Sequence, residues 1–182
     1  MISKEEVLEN SNDKDFVLKA IEETPTLIEF ASDELRDDKE VMLEAIKRNG
    51  EVLEFASDRL KDDKEVVLTA TKEVGWVVCY ASERLKADRD IILEGCKIDG
   101  QVLYHASQEL RDDKEVVLTA VSQKGIIIKY ASKRLIEDTD VIIAALKQNK
   151  KASKQTKQNK TKPSLTAFKW KKSNIIFHQV KN

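Results

Sequence analysis

The sequence predicts an all-α chain: an α-solenoid of 25-residue helix-pair repeats, followed by a basic C-terminal tail of disordered composition. Three observations predict it. The stretch DDKEVVLTA stands at residues 62–70 and again, letter for letter, at 112–120, with close copies at 37–45 and around 85–95. Set in rows of 25, the chain aligns almost without gaps from Asn12 to Asn149. Only 5 Gly and 2 Pro occur in 182 residues, and 36% of the chain is charged against 5% aromatic, which favours helices with charged outer faces over a sheet.

Residues 1–11 precede the first row. Ser3 and Glu6 have the spacing of a capping box and predict an N-terminal capping segment. Each row then opens on an aspartate, at 13, 38, 63, 88, 113 and 138. Asp at this place reads as a helix N-cap, because its carboxylate accepts from first-turn amides that have no other partner. The preceding Asp37, Asp62 and Asp112 offer an alternative capping register, with Glu40, Glu65 and Glu115 at the third helical position. An apolar run such as Val41, Met42, Leu43, Ala45 and Ile46 follows, giving a helix of about three turns.

Gly at 50, 75, 100 and 125 fits a left-handed C-cap. VLEFASDRL then reads as a second helix, with Leu53, Ala56 and Leu60 on one face. Its small Ala lets backbones approach, and its Ser is either solvated or bonded back to a carbonyl one turn earlier. One such pair cannot bury its apolar faces alone, whereas stacked pairs share a continuous core. The array is five full repeats and the first helix of a sixth, residues 12–149.

The phrase D-D-K-E-V-V-L-x-A, a Gly, and then L-x-[FY]-A-S-x-x-L resembles the repeat family known as domain of unknown function 4116. The resemblance covers residues 12–149 and implies a helical repeat. It implies no activity.

No catalytic constellation, metal spacing or cofactor motif stands out. The two histidines, His105 and His178, have no cysteine or carboxylate partner at motif spacing, and His105 shares a column with Phe30, Phe55, Tyr80 and Tyr130, which reads as aromatic packing. Cys79 and Cys96 form neither a metal site nor a disulfide framework. No apolar run approaches 18 residues, so no transmembrane segment is expected. The first residues, MISKEEVLENSNDKD, lack the apolar core of a secretory signal. These readings predict a non-enzymatic, cytoplasmic protein without cofactor.

Departures from the repeat are the informative positions for binding. The column after the Gly reads Thr26, Glu51, Trp76, Gln101, Ile126, and the column three later reads Glu29, Glu54, Cys79, Tyr104, Lys129. Polar residues in most rows mark this face as exposed, and Trp76, Cys79, Tyr104 and Ile126 break the rule. They predict an apolar patch for another protein. The alternative is that these side chains tuck into local gaps. A basic ladder, Lys14, Lys39, Lys64, Arg89 and Lys114, has a pitch that would track a phosphate backbone, but each member stands beside an acid and reads better as a charge-balanced edge.

Charge divides the chain sharply. Residues 1–146 hold 21 basic and 33 acidic residues, a net −12, whereas 147–182 hold 11 basic residues and no acid. From Lys150 the repeat stops and a Lys-, Gln- and Asn-rich tail, 150–182, begins. Phe168, Lys169, Trp170, Lys171 and Lys172 interleave rings with charge, a pattern suited to single-stranded nucleic acid or an anionic membrane surface. An array that ends in mid-repeat, with its sixth helix unpartnered, also fits a frameshifted or truncated copy without a present role, or dimerisation through that exposed helix. Three functions therefore stand: a scaffold for an unidentified protein partner, a nucleic-acid binder acting through the tail, and a truncated repeat protein.

Overall fold

A computed structural model of the chain describes residues 1–158, with side chains described as far as Asn149. Phe168, Lys169, Trp170, Lys171 and Lys172 lie outside the described residues. The chain divides into two parts, Met1–Gln148 and Asn149–Asn182. The described residues are helical and contain no strand.

The first helix, Lys4–Glu9, starts on Ser3 with the complete capping box to Glu6 and buries Val7. Five long helices follow, Lys14–Glu23, Lys39–Arg48, Lys64–Glu73, Arg89–Ile98 and Lys114–Gln123, each of 10 residues. Each is capped by the aspartate at the head of its row; Asp38, for example, accepts from the amides of Glu40 and Val41 at 2.9 and 3.2 Å. The alternative register at Asp37 is not used as a cap. Val41, Met42, Ala45 and Ile46 are fully buried, as are their equivalents Ile91, Ile92 and Cys96. Each such aliphatic side chain removed from water stabilises the fold by roughly 1.5–3 kcal/mol, and the core runs unbroken from repeat to repeat.

The second half of each repeat differs from the continuous helix that VLEFASDRL suggests. It is a 3₁₀ helix, Gly50–Phe55 in the second repeat, then an extended Ala56, then a short α-helix, Asp58–Lys61. The break arises at Ser57, whose Oγ accepts from the Leu60 amide at 3.2 Å and so starts a new helix. Leu53, Ala56 and Leu60 still reach the core, which explains why a single helical face described them.

The glycines also differ from the left-handed C-cap expected of them. Gly50, Gly75 and Gly100 are the first residues of 3₁₀ helices. A Cβ on Gly50 would lie 2.8 Å from the Ala70 carbonyl oxygen of the next repeat, and one on Gly100 would lie 2.3 Å from that of Ala120. Close stacking of repeats, rather than backbone twist, excludes a side chain there.

Two polar ladders join successive repeats. In the first, the basic residue opening each long helix reaches the next helix's N-terminus. Lys14 contacts Asp38 at 2.9 Å and Glu40 at 2.7 Å, and Lys39, Lys64, Arg89 and Lys114 repeat the arrangement. The basic ladder is thus committed to carboxylates of its own fold, as the charge-balanced reading expects. In the second, Asp37, Asp62 and Asp112 accept from Ser57, Ser82 and Ser132 and from Arg59, Arg84 and Arg134 of the following repeat. This answers the alternatives left open for the Ser of the Ala-Ser pair: it caps its own helix and donates to the repeat before.

Repeat four is irregular. Where it joins repeat three, Ala87 stands in place of the second ladder's aspartate and Glu109 in place of its arginine. The fourth 3₁₀ helix is shortened to Gly100–Tyr104, and a 3₁₀ turn, Leu110–Asp112, replaces the short α-helix. Arg111 folds back instead, donating to the Ala106 and Tyr104 carbonyls at 2.9 and 3.0 Å.

The final helix is Thr139–Gln158. It passes Lys150, where the glycine column would fall, without interruption, so the stretch from 150 begins within this helix. Leu146 is 42% exposed, although the residues in its column, such as Ile21, Ile46 and Val121, are fully buried. No further 3₁₀ helix covers it among the described residues.

Candidate interaction face

Consecutive 3₁₀ helices pack directly on one another and form a row. Their exposed positions, the first and fourth after the glycine, are the two columns singled out by sequence. The burial pattern shows why they are exposed. Positions between them, Val52 and Leu53 or Val102 and Leu103, are fully buried, so the helix presents its other side outward.

The structure places Trp76, Tyr104 and Ile126 on that outward side, 38%, 53% and 42% exposed. They do not tuck into gaps. Together with Tyr130, Lys124 and Lys129 they line an open groove of about 420 Å³ across repeats three to five. Tyr104 and Tyr130 meet edge to face with ring centroids 4.9 Å apart, and Trp76 lies 5.7 Å from Tyr80. Such ring pairs add about 0.5–1.5 kcal/mol each beyond area burial. Lys129 Nζ sits 4.7 Å from the Tyr130 ring centre. Cys79 is half-buried and does not line the groove.

Lys124, Lys129 and Tyr130 were not among the residues the sequence singled out. Tyr130 sits in the aromatic column read as packing, and Lys124 in a column, Thr24, Asn49, Val74, Asp99, Lys124, without a rule to break. No signal in one row reveals that they border the residues of the row before.

The titratable groups near this face are tuned by burial. Burial raises the Cys79 thiol above its ordinary range and pushes Cys96 up to about 12, so both are held as neutral thiols. Burial lowers the His105 imidazole, with Lys86 and Arg111 adding to the effect, and its ring meets Tyr104 edge-on at 5.0 Å. A neutral imidazole packed on a ring is the aromatic role its column suggests. Burial also raises the Tyr80 hydroxyl, followed by the Glu54 carboxylate beside it. Among the described residues no group of His, Cys, Asp or Glu has the arrangement of a metal site. None of their helices is long and apolar enough to cross a membrane.

No curated protein and no solved structure matches the chain. A family model does, in four spans that each begin at a capping aspartate: residues 13–61, 38–86 and 63–111, which overlap, and residues 113–156. The first three spans reproduce the 25-residue step of the helices and of both ladders, and the fourth begins two steps after the third. The chain accordingly belongs to the family described as Domain of unknown function (DUF4116).

Proposed function

We propose that this chain is a non-enzymatic protein-interaction module whose partner docks on the row of 3₁₀ helices in repeats three to five. One observation carries the reading. Positions that other repeats fill with Thr26, Glu29, Glu51 or Glu54 hold Trp76, Tyr104 and Ile126 here, exposed and gathered along one groove. Exposing Trp, Tyr and Ile together costs solubility, and Trp and Tyr are the side chains that most often anchor interfaces. The carboxylates of both ladders are held by partners of their own fold, which supports a structural role for them.

The test uses the immobilised full chain and extract of its source cells. Polypeptides retained by the wild type are expected to be lost on Trp76→Glu and on Ile126→Glu. They should be kept on Thr26→Glu, the same column in another repeat. Circular dichroism and the thermal midpoint confirm folding of each variant. Retention is expected to survive nuclease and change little between low and high salt. Steep loss with salt would instead indicate phosphate-driven binding, as a nucleic-acid role for the tail requires. Identical retention by wild type and Trp76→Glu would overturn the proposal.

A further inference from the structure

The same face carries a charge order that points to its occupant. Read from repeat two to repeat five, its exposed residues are Glu51 and Glu54, then Trp76, then Gln101 and Tyr104, then Lys124, Ile126 and Lys129. It is acidic at one end, aromatic in the middle and basic at the other end. The charges at the two ends are not committed to the ladders. The ladder residues are paired from repeat to repeat, whereas among the described residues none of Glu51, Glu54, Lys124 and Lys129 forms an ion pair within the chain.

We propose that the occupant is a second copy of this chain, related by a two-fold axis passing between repeats three and four. The inference rests on the reading of this face as a docking surface and names the partner. A two-fold contact brings the same patch of both copies together, so that if i touches j, j touches i. With the axis between repeats three and four, equal spacing sets repeat two against repeat five of the partner and repeat three against repeat four. Glu54 then meets Lys129 of the other copy, Glu51 meets Lys124, and Trp76 packs on Tyr104, each contact occurring twice.

The order of residues suits an interface, with rings at the centre and charges at the rim that fix orientation. The size fits as well. Packed helices are separated by roughly 8–10 Å, so the three steps from Glu54 to Lys129 span about 24–30 Å, the width of a standard patch of ~800 Å² per partner.

Charge exchange tests the pairing. Sedimentation velocity of the full chain over a concentration series is expected to show a monomer–dimer equilibrium. Glu54→Lys and Lys129→Glu should each raise the dissociation constant about tenfold or more, with unchanged circular dichroism. An equimolar mixture of the two variants is expected to form a heterodimer, because both of its pairs are then opposite in sign. The double variant E54K/K129E should dimerise with itself. A wild type that stays monomeric at every concentration overturns the inference. So do single variants that dissociate without rescue by the mixture or the double variant. A dimer indifferent to both exchanges and lost on Leu146→Glu also overturns it, placing the contact on the last helix. If the wild type is monomeric but its captured polypeptides are still lost on Trp76→Glu, self-association fails and the interaction reading stands. If Trp76→Glu alters neither property, both fail.

Discussion

Arg59 Nε lies 2.9 Å from Oδ1 of Asp37, the residue that ends the short helix of the repeat before. The Ser57 hydroxyl donates to the same oxygen. This three-residue latch recurs at Asp62 and Asp112 and is missing at one full joint, where Ala87 and Glu109 replace its acid and its base together. Stacked repeats are stabilised by their own packing and by each neighbour contact, so one weaker joint has a local consequence.

The joint between repeats three and four is therefore the expected site of earliest opening, and it should be repairable. Ala87 has φ −98° and ψ −1°, the backbone that Asp37 has at −97° and −4°. The double variant Ala87→Asp/Glu109→Arg should fit without strain. Thermal unfolding is expected to show a small rise in midpoint, no more than a few degrees, larger than the sum of the two single changes. Amide exchange should slow around Ser107 and Leu110. Additive single effects would remove the latch as an energetic unit.

The ladders predict a wide pH plateau. Burial alone would raise Asp38, but Lys14 and the amides of Val41 and Glu40 outweigh it and hold the carboxyl below its ordinary 3.8. Asp63, Asp88 and Asp113 behave likewise, and Ser57 and then Arg59 lower Asp37. Stability from a lowered carboxyl is complete above 3.8 and is lost as the pH falls through the native value. Glu40 and then Asp38 raise Lys14 above 10.5, with Lys39, Lys64 and Lys114 raised by the carboxylates they meet. That contribution is complete below 10.5 and is lost as the pH rises past it. The ladders themselves add no pH dependence between about pH 5 and 10. His105, held neutral, gives up stability as the pH falls below its ordinary 6.5, and Cys79 and Cys96 give it up as the pH rises above 9. The thermal midpoint should therefore be highest between about pH 7 and 9 and fall on both sides. A fall that begins near neutrality and persists in a His105→Gln variant would contradict the ladder account.

Thr71 occupies a column that holds Ile21, Ile46, Cys96 and Val121, and its buried hydroxyl finds no hydrogen-bond partner among the described residues. Thr69 and Thr119, by contrast, donate to carbonyls one turn back at 2.8 Å. Replacing the orphaned hydroxyl with a methyl of the same shape removes a desolvation cost. Thr71→Val should stabilise the array by about 1 kcal/mol, or about 2–4 °C in midpoint. A lower midpoint would mean that the hydroxyl is satisfied after all.

Gly100 and Gly95 should respond differently to Ala. At Gly100 the new Cβ would sit 2.3 Å from a backbone oxygen of the next repeat, which cannot move without parting the stack. Gly100→Ala should lose about 1–3 kcal/mol or more in chemical denaturation. At Gly95 the nearest atoms are side-chain methyls of Thr71 and Val102 at 3.0 Å, and the gain in helix propensity of about 1 kcal/mol offsets their adjustment. Equal losses at both sites would rule out close stacking as the reason for the glycine column.

The face in repeats three to five was partly legible beforehand. Trp76, Tyr104 and Ile126 stood out because four other rows supply a baseline for each position. Cys79 stood out equally but is half-buried and lies off the groove. Lys124 and Tyr130 join it only because repeat five lies against repeat four, a relation no single row contains.

By itself the sequence determined the 25-residue period, the capping aspartates, the capping box at Ser3 and the buried columns. Those properties depend on residues within one helical turn of each other, or on burial that recurs at a fixed spacing. Only the tertiary structure decided that Ala-Ser is a break, that Asp37 latches a neighbour instead of capping its own helix, and that glycine makes room for the next repeat. The latch and the glycine contact each join atoms about 20 residues apart in the chain, and the Ser57 that starts the new helix is the residue the latch holds. Ser57 with Asp37, or Gly50 with Ala70, can meet only once the repeats are stacked, and the distance at which they stack is set by the packed core between them.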